Sequence, residues 1–371
     1  MVMRFIIRQN LMNRAAFKGI LLLLISYSVL IDAQENTTLI PKWSRFQGEL
    51  ISLKKYDNPA MDLQLKAVFN PPLGDPVLVD GFWDGENDWK IRFMPDMAGE
   101  WTFNITCSDE SNLGLHNLEG RFLCTAPDGD TKLSKNGPIR VSRSRTHFMH
   151  DNERPFFWMA DTAWNGPLKS NEFDWSHYLE NRKRQGFTAI QWVATPWKGA
   201  PKGNAEGQMP FLDKAKKRIN PEYFRRLDKR VEAINRAGLI SVPVLFWASN
   251  EETNLINSLT DDQAVLLGRY MVARWGASCG AWIIGADGDY SGPNGDRWKK
   301  IGQAIFGDRP RTPVFIHPKA KSWIFESFRD EKWLNAFGYQ IGHEINDATN
   351  NWIHNGPPTR DWNKLPRRPI L

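Results

Sequence analysis

Two spacings of hydrophobic residues divide the chain. From about Lys42 to Ala126 apolar and polar positions alternate, in Phe46 to Leu53, Leu63 to Phe69, Val77 to Val79, Trp89 to Phe93 and Trp101 to Ile105, with Pro, Gly, Asn and Asp between the runs. A period of two puts successive side chains on opposite faces of a strand, so these runs predict short strands joined by turns. Trp83-Asp84-Gly85 and Asp96 to Glu100 fall at hairpin ends. The set predicts a β-sandwich over 42–126, and a polar link over 127–136 follows it.

From Gly137 onward buried-looking apolar runs alternate with helical patterns, which predicts a parallel βα array over 137–371. The expected strands are Phe156 to Ala160, Phe187 to Ala194, Leu239 to Trp247, Ala281 to Ala286, Thr312 to Ile316 and Trp333 to Tyr339, with a seventh opening at Arg367 to Leu371. Helices are expected over Phe173 to Gln185, from Pro221 to Gly238 with Asn220 as cap, from Thr260 to Trp275 behind a capping box, from Asp296 to Phe306 and from Asn346 to His354. The fold class is therefore multidomain: an N-terminal β-sandwich of immunoglobulin-like size, then a (β/α)8 TIM-type barrel. The chain ends at strand seven, and a closed barrel needs a seventh and an eighth strand, so the barrel is expected to be incomplete at its C-terminus and the chain a truncated one.

Candidate chemistry collects at the strand C-termini, where such barrels keep their sites. Ala281 to Ala286 runs directly into Asp287 and Asp289. A turn or helix-capping aspartate is the alternative reading. In order, the strand ends carry Asp161, Trp164, Gln191, Trp192, Trp197, Trp247, Asp287, Asp289, His317, Gln340, His343 and Glu344. Indole faces stack on the apolar faces of sugars, amides and carboxylates bind hydroxyls, and paired acids cleave glycosidic bonds, so the cluster suits a carbohydrate. Each of the 17 tryptophans taken singly is a packing residue first.

Other chemistries find no support. The seven histidines show no ligand spacing, His343-Glu344 lacks a second histidine, and neither a phosphate loop nor a nucleophile elbow is present, so no metal or cofactor is expected. Residues 1–33 read as an export signal, with a basic region, an apolar run from Gly19 to Ile31 too short for a comfortable span, and Ile31-Asp32-Ala33 before the expected cut. An uncleaved anchor is the other reading of the same stretch. Removing it takes away Arg4, Arg8, Arg14, Lys18 and Asp32 and lowers the formal charge from +6 to +3. The remaining bases are scattered among acids, so nucleic-acid binding is not expected. Export permits a disulfide between Cys107 and Cys124, each ending a strand, with two buried free thiols as the alternative; Cys279 reads as a small packed residue.

Three stretches carry a family resemblance. Phe157 to Trp164, Trp282 to Asp287 and Tyr339 to His343 resemble motifs of exported bacterial glycoside hydrolases of the apiosidase type, and Val79 to Gly85 resembles part of the sandwich that precedes their barrel. The resemblance implies retaining hydrolysis of a plant or microbial polysaccharide or oligosaccharide. It makes Asp287 the acid/base and puts the nucleophilic glutamate shortly after strand seven, just beyond Leu371. Asp161, Gln340 and His343 would position hydroxyls, with Asp289 as an alternative acid. Ala286 stands where the family usually has a second glycine, and Ile341 where a serine is common. A non-catalytic carbohydrate-binding protein with a degenerate barrel is the competing class, and a matrix-adhesion module rests on the sandwich alone.

Overall fold

The computed structural model describes residues 2–4 and 37–371. The expected export signal lies outside the described residues apart from strand β1 (Val2–Arg4), which pairs in parallel with Gln47–Glu49. The other N-terminal strands are β2 (Leu39–Pro41), β3 (Phe46–Ile51), β4 (Leu65–Asn70), β5 (Val77–Asp80), β6 (Phe82–Gly85), β7 (Asp88–Phe93), β8 (Gly99–Cys107) and β9 (Leu118–Thr125). They form two sheets, ordered β1-β3-β7-β6 and β2-β9-β8-β4-β5. The alternation read from the sequence is realised: Phe46 and Phe93 from the first sheet meet Phe69, Phe103 and Phe122 from the second, and the Phe69 and Phe93 rings stack at 4.0 Å.

Trp83-Asp84-Gly85 is not only a hairpin end. It completes β6, which docks on the parallel sheet's helices. The Phe82 ring lies between the guanidinium groups of Arg92 and Arg274, at 5.1 and 4.8 Å. Asp228 accepts from Arg92 and Arg274 at 2.8 Å each, and Lys90 donates to Asp84 at 2.6 Å. Arg274 Nη1 also lies 2.7 Å from Asp84 Oδ1, off the hydrogen-bond axis. Charges this deeply buried persist only when paired.

The link over 127–136 contains a short helix, Lys132–Asn136, capped by Thr131. A small antiparallel sheet follows, of β10 (Ile139–Val141), β11 (Phe148–His150) and β12 (Pro155–Phe156). Phe156, expected in the first parallel strand, belongs to this sheet, because Pro155–Phe156 pairs back on Phe148–Met149. The parallel sheet runs in chain order: β13 (Ala160–Thr162), β14 (Ala189–Val193), β15 (Ile240–Trp247), β16 (Trp282–Gly288), β17 (Val314–Pro318) and β18 (Ala336–Phe337). Ile370 then bridges Phe337 in parallel, where a seventh strand was expected. Sequential parallel strands with intervening helices are the βα barrel pattern.

The helices are Glu172–Arg184, Pro221–Arg236, Asp261–Trp275, Gly292–Phe306 and Asp347–Asn355, among shorter ones. Thr260 and Gln263 make the expected capping box. Asn220 does not cap with its side chain, which donates to the Met209 carbonyl instead, so Pro221 opens that helix on its fixed φ alone.

The expected Cys107–Cys124 bridge is ruled out by register. Cys124 stands opposite Gly99, eight residues along β8 from Cys107, which at ~3.3 Å per residue is roughly 26 Å, far beyond the ~7 Å a disulfide tolerates. All three cysteines are free and buried.

Candidate active site

Asp287 stands at the C-terminal end of β16, where the ladder with β17 is irregular between Ile283 and Gly288. Its backbone is left-handed (φ 54°), a region that non-glycine residues enter rarely and mostly as Asp or Asn. A bulge re-aims the side chain it carries, and strain of this kind collects at functional sites. Gly285 makes the arrangement possible. A Cβ there would come within 2.6 Å of the Tyr290 hydroxyl and 2.9 Å of the Trp298 ring, so only glycine lets Tyr290 fold back on the strand. Burial, then the nearby Asp287 charge, raises the Tyr290 pKa well above 10, and its hydroxyl has no hydrogen-bond partner among the described residues.

His317, inside β17, faces Asp287 with Nε2 3.7 Å from Oδ1. That separation is too long for a hydrogen bond. Burial lowers the imidazole pKa and outweighs the opposing pull of the Asp287 charge, so His317 is neutral at pH 7. An aromatic wall continues from it: Trp164 packs edge-on to His317 (6.0 Å) and to Trp247 (5.3 Å), and Trp247 tilts against Trp197 (4.4 Å). Strand ends that are far apart in sequence thus share one surface. Trp197 is held by Asn165, which accepts from its Nε1 at 2.7 Å. Trp247 Nε1 and Gln340 Oε1 are buried and have no partner among the described residues. Buried polar atoms are seldom left this way, and two of them so close to the strand ends mark the site as polar beneath its aromatic surface.

Gln191 faces the inside of the sheet, because its neighbour Trp192 packs outward on Trp275. Three expected site residues lie elsewhere. Asp161 points to the outer helix Glu172–Arg184, where Tyr178 donates to it at 2.6 Å and Arg182 pairs with it. Burial pushes the Asp161 pKa up, but those bonds outweigh it and leave the pKa below the usual carboxylate range. Asp289 binds Lys319 at 2.9 Å and Ser291; the Lys319 bond foremost lowers its pKa to about 2, so it is a poor proton donor. His343 is exposed on the loop after β18. The sequence reading assigned no role to Asn165, His317 or Tyr290. His317 was visible as a strand-end residue, whereas Asn165 and Tyr290 carried no local signal.

Among the described residues no group of three or more His, Cys, Asp or Glu side chains is placed to hold a metal, and no helix is long and apolar enough to cross a membrane. What remains is one re-aimed carboxylate beside a neutral imidazole, an indole wall and unpartnered polar atoms, on the C-terminal face of a parallel βα sheet. A site at the C-terminal ends of sequential parallel strands is the arrangement of a TIM-type barrel. The chain belongs to the apiosidase-like family, whose catalytic-domain model matches residues 142–371. Residues 39–108 match a domain of unknown function, DUF5060. No curated protein matches the chain.

Two crystal structures from Bacteroides vulgatus share the fold. One, provisionally assigned as a glycoside hydrolase, is 21% identical with a TM-score of 0.69 over 82% of this chain and 60% of its own. The other, a family 5 glycoside hydrolase, is 23% identical with a TM-score of 0.54 over 65% of this chain and 53% of its own. The chain thus spans a little over half the length of these two proteins.

Proposed function

We propose that the protein is an exported retaining glycoside hydrolase acting on a plant or microbial polysaccharide or oligosaccharide, with Asp287 as its acid/base. The observation that carries the reading is the contrast among the strand-end carboxylates: Asp161 is tied to Arg182 and Asp289 to Lys319, whereas among the described residues Asp287 faces the His317 ring and pairs with no lysine or arginine. A carboxyl held by a cation cannot readily carry a proton, and no such cation holds Asp287 among the described residues. Protonation of His317 would pin Asp287 as the anion, and burial of the ring, which lowers its pKa, works against it. Family membership and the indole wall support a sugar substrate. The Gly19 to Ile31 apolar run supports export.

In the mechanism, Asp287 protonates the glycosidic oxygen as that bond breaks, and a glutamate about 5 Å away attacks the anomeric carbon to form a glycosyl-enzyme. Asp287, now a carboxylate, takes a proton from water, whose oxygen displaces the glutamate and releases the sugar. We assign the nucleophile to a glutamate following the strand that Ile370 opens, which would stand on the same sheet face. The partly buried Trp164 would stack on the sugar, backed by the buried Trp247 and Trp197, and Gln191 and Gln340 would bind its hydroxyls.

The test is reducing-end release from plant and microbial polysaccharides by the product of the whole gene. General acid/base groups contribute ~10²–10⁴-fold, so Asp287→Asn should lose about that much, and the first-formed anomer, read by NMR, should retain configuration. Turnover by Asp287→Asn within a few-fold of the unaltered enzyme would sink the assignment.

A further inference from the structure

Trp83, on β6, separates two clefts on the seam between the sandwich and the parallel sheet's helices. The first, of about 560 Å³, is lined by Met61, Gln64, Asp80, Asp262 and Arg269 as well as Trp83. The second, of about 440 Å³, is lined by Tyr56, Asn58, Glu86, Leu212 and Arg218 as well as Trp83. Both are the size of small-ligand sites. Their far walls belong to the segment closed by the Phe211–Ile219 bridge, which follows β14, and to the start of helix Asp261–Trp275, which follows β15. Trp197 is on the first of these connections. The clefts are therefore walled in part by connections that leave the C-terminal ends of strands, as Asp287 does.

The lining has the character of a neutral polyhydroxyl site. Trp83 Nε1 is satisfied by the Glu86 carbonyl and the Trp83 carbonyl by Tyr270, which fixes the indole without using its faces. Tyr56 is likewise held, through its hydroxyl on Asp109. Met61 and Leu212 leave about half of their surface exposed beside these rings, a cost that covering by sugar C–H faces would remove. The lining bases and acids balance, Lys55, Lys217, Arg218 and Arg269 against Asp57, Asp80, Glu86 and Asp262, with Asp80 paired to Arg269, which disfavours a polyanion. Asn58 Oδ1 is buried and unpartnered, although its Nδ2 donates to the Lys217 carbonyl.

We propose that this Trp83-centred groove is a second glycan-binding site, taking a neutral stretch of the polysaccharide whose cleavage is assigned to Asp287. The ligand class rests on the glycosidase reading, and the site itself on the groove. The protein would then act on extended chains, holding them over the connections after β14 and β15.

The experiment is affinity gel electrophoresis of the Asp287→Asn protein, which leaves polymer intact, in gels containing galactomannan, xyloglucan or arabinoxylan. At least one polymer should retard it, and adding Trp83→Ala should weaken that retardation tenfold or more. Leu212→Arg, an exposed change that puts a bulky cation into the groove without touching the core, should act in the same direction. Equal retardation in both variants, or none by any of the three polymers, overturns the proposal. Hydrolysis by the unaltered enzyme is scored separately: hydrolysis without Trp83-dependent binding refutes only the groove, and binding without hydrolysis refutes only the catalytic reading.

Discussion

The charge cluster on the seam permits the most quantitative prediction. Asp228 Oδ2 accepts from Arg92 Nη2 at 2.8 Å, and its Oδ1 accepts from Arg274 Nε at 2.8 Å and Trp275 Nε1 at 2.7 Å. Asp228→Asn preserves the shape but removes the charge, and it turns an amide donor toward one guanidinium. Arg92 then has no carboxylate, and Arg274 keeps only Asp84. Removing one partner of a buried pair costs ~3–5 kcal/mol. At ~2.1 cal/mol/K of unfolding entropy per residue, a chain of 371 residues shifts by about 1.3 °C per kcal/mol, so thermal unfolding followed by circular dichroism should fall by roughly 4–6 °C. The pH dependence has a definite sign. Burial pushes the Asp228 pKa up, but the charges of Arg274 and Arg92 outweigh it and leave the folded-state pKa below the usual value. A depressed pKa means that the stabilisation is complete above the unfolded value of ~3.9 and is lost as pH falls through the folded one. The difference between variant and unaltered protein should therefore be full at pH 7 and narrow below pH ~4. Arg143→Ala, which removes the exposed pair with Glu153, is the control and should shift the melt by under 2 °C. An Asp228→Asn melt within 2 °C of the unaltered protein would refute the argument that this cluster holds the seam.

Two other outcomes follow from buried groups. Trp247→Phe removes a buried unpartnered donor but leaves a gap behind Trp164; the melting temperature should fall by a few degrees while KM rises about fivefold as Trp164 loses its support, and an unchanged KM would separate the aromatic wall from the substrate. Burial pushes the thiol of Cys124 up to about 11 and that of Cys279 up to about 12, so a thiol reagent at pH 8 should label the folded protein negligibly and the denatured protein at three sites, with melting unaffected by reductant. Labelling at only one site in denaturant without reductant would restore the Cys107–Cys124 bridge.

Much of the architecture is legible in local pattern. Period-two alternation marked the phenylalanine-lined strands of the sandwich, and the switch to buried runs separated by helices marked the parallel sheet in its observed order. Thr260 to Gln263 announced its helix because a capping box involves residues only three apart. The apolar run into Asp287 marked the end of β16, since barrels place acids there for a reason independent of partners.

Direction was not legible, because a side chain's aim depends on register and on groups distant along the chain. Asp161 and Asp287 look alike as acids after apolar runs, yet Tyr178 and Arg182 turn Asp161 outward while the irregular ladder and left-handed backbone turn Asp287 toward His317. Cys107 and Cys124 are similar in local setting, and only strand pairing puts them at opposite ends of β8. Arg92, Asp228 and Arg274 carry no local sign of pairing, since nothing within a few residues of each says that packing around Phe82 brings them together. Periodicity and capping, which act over a few residues, were thus determined by the sequence alone. The pairing of buried charge and the aim of each site residue were decided only by tertiary structure, where electrostatics and packing join residues 17 positions apart, as Tyr178 and Asp161, or 136 apart, as Arg92 and Asp228.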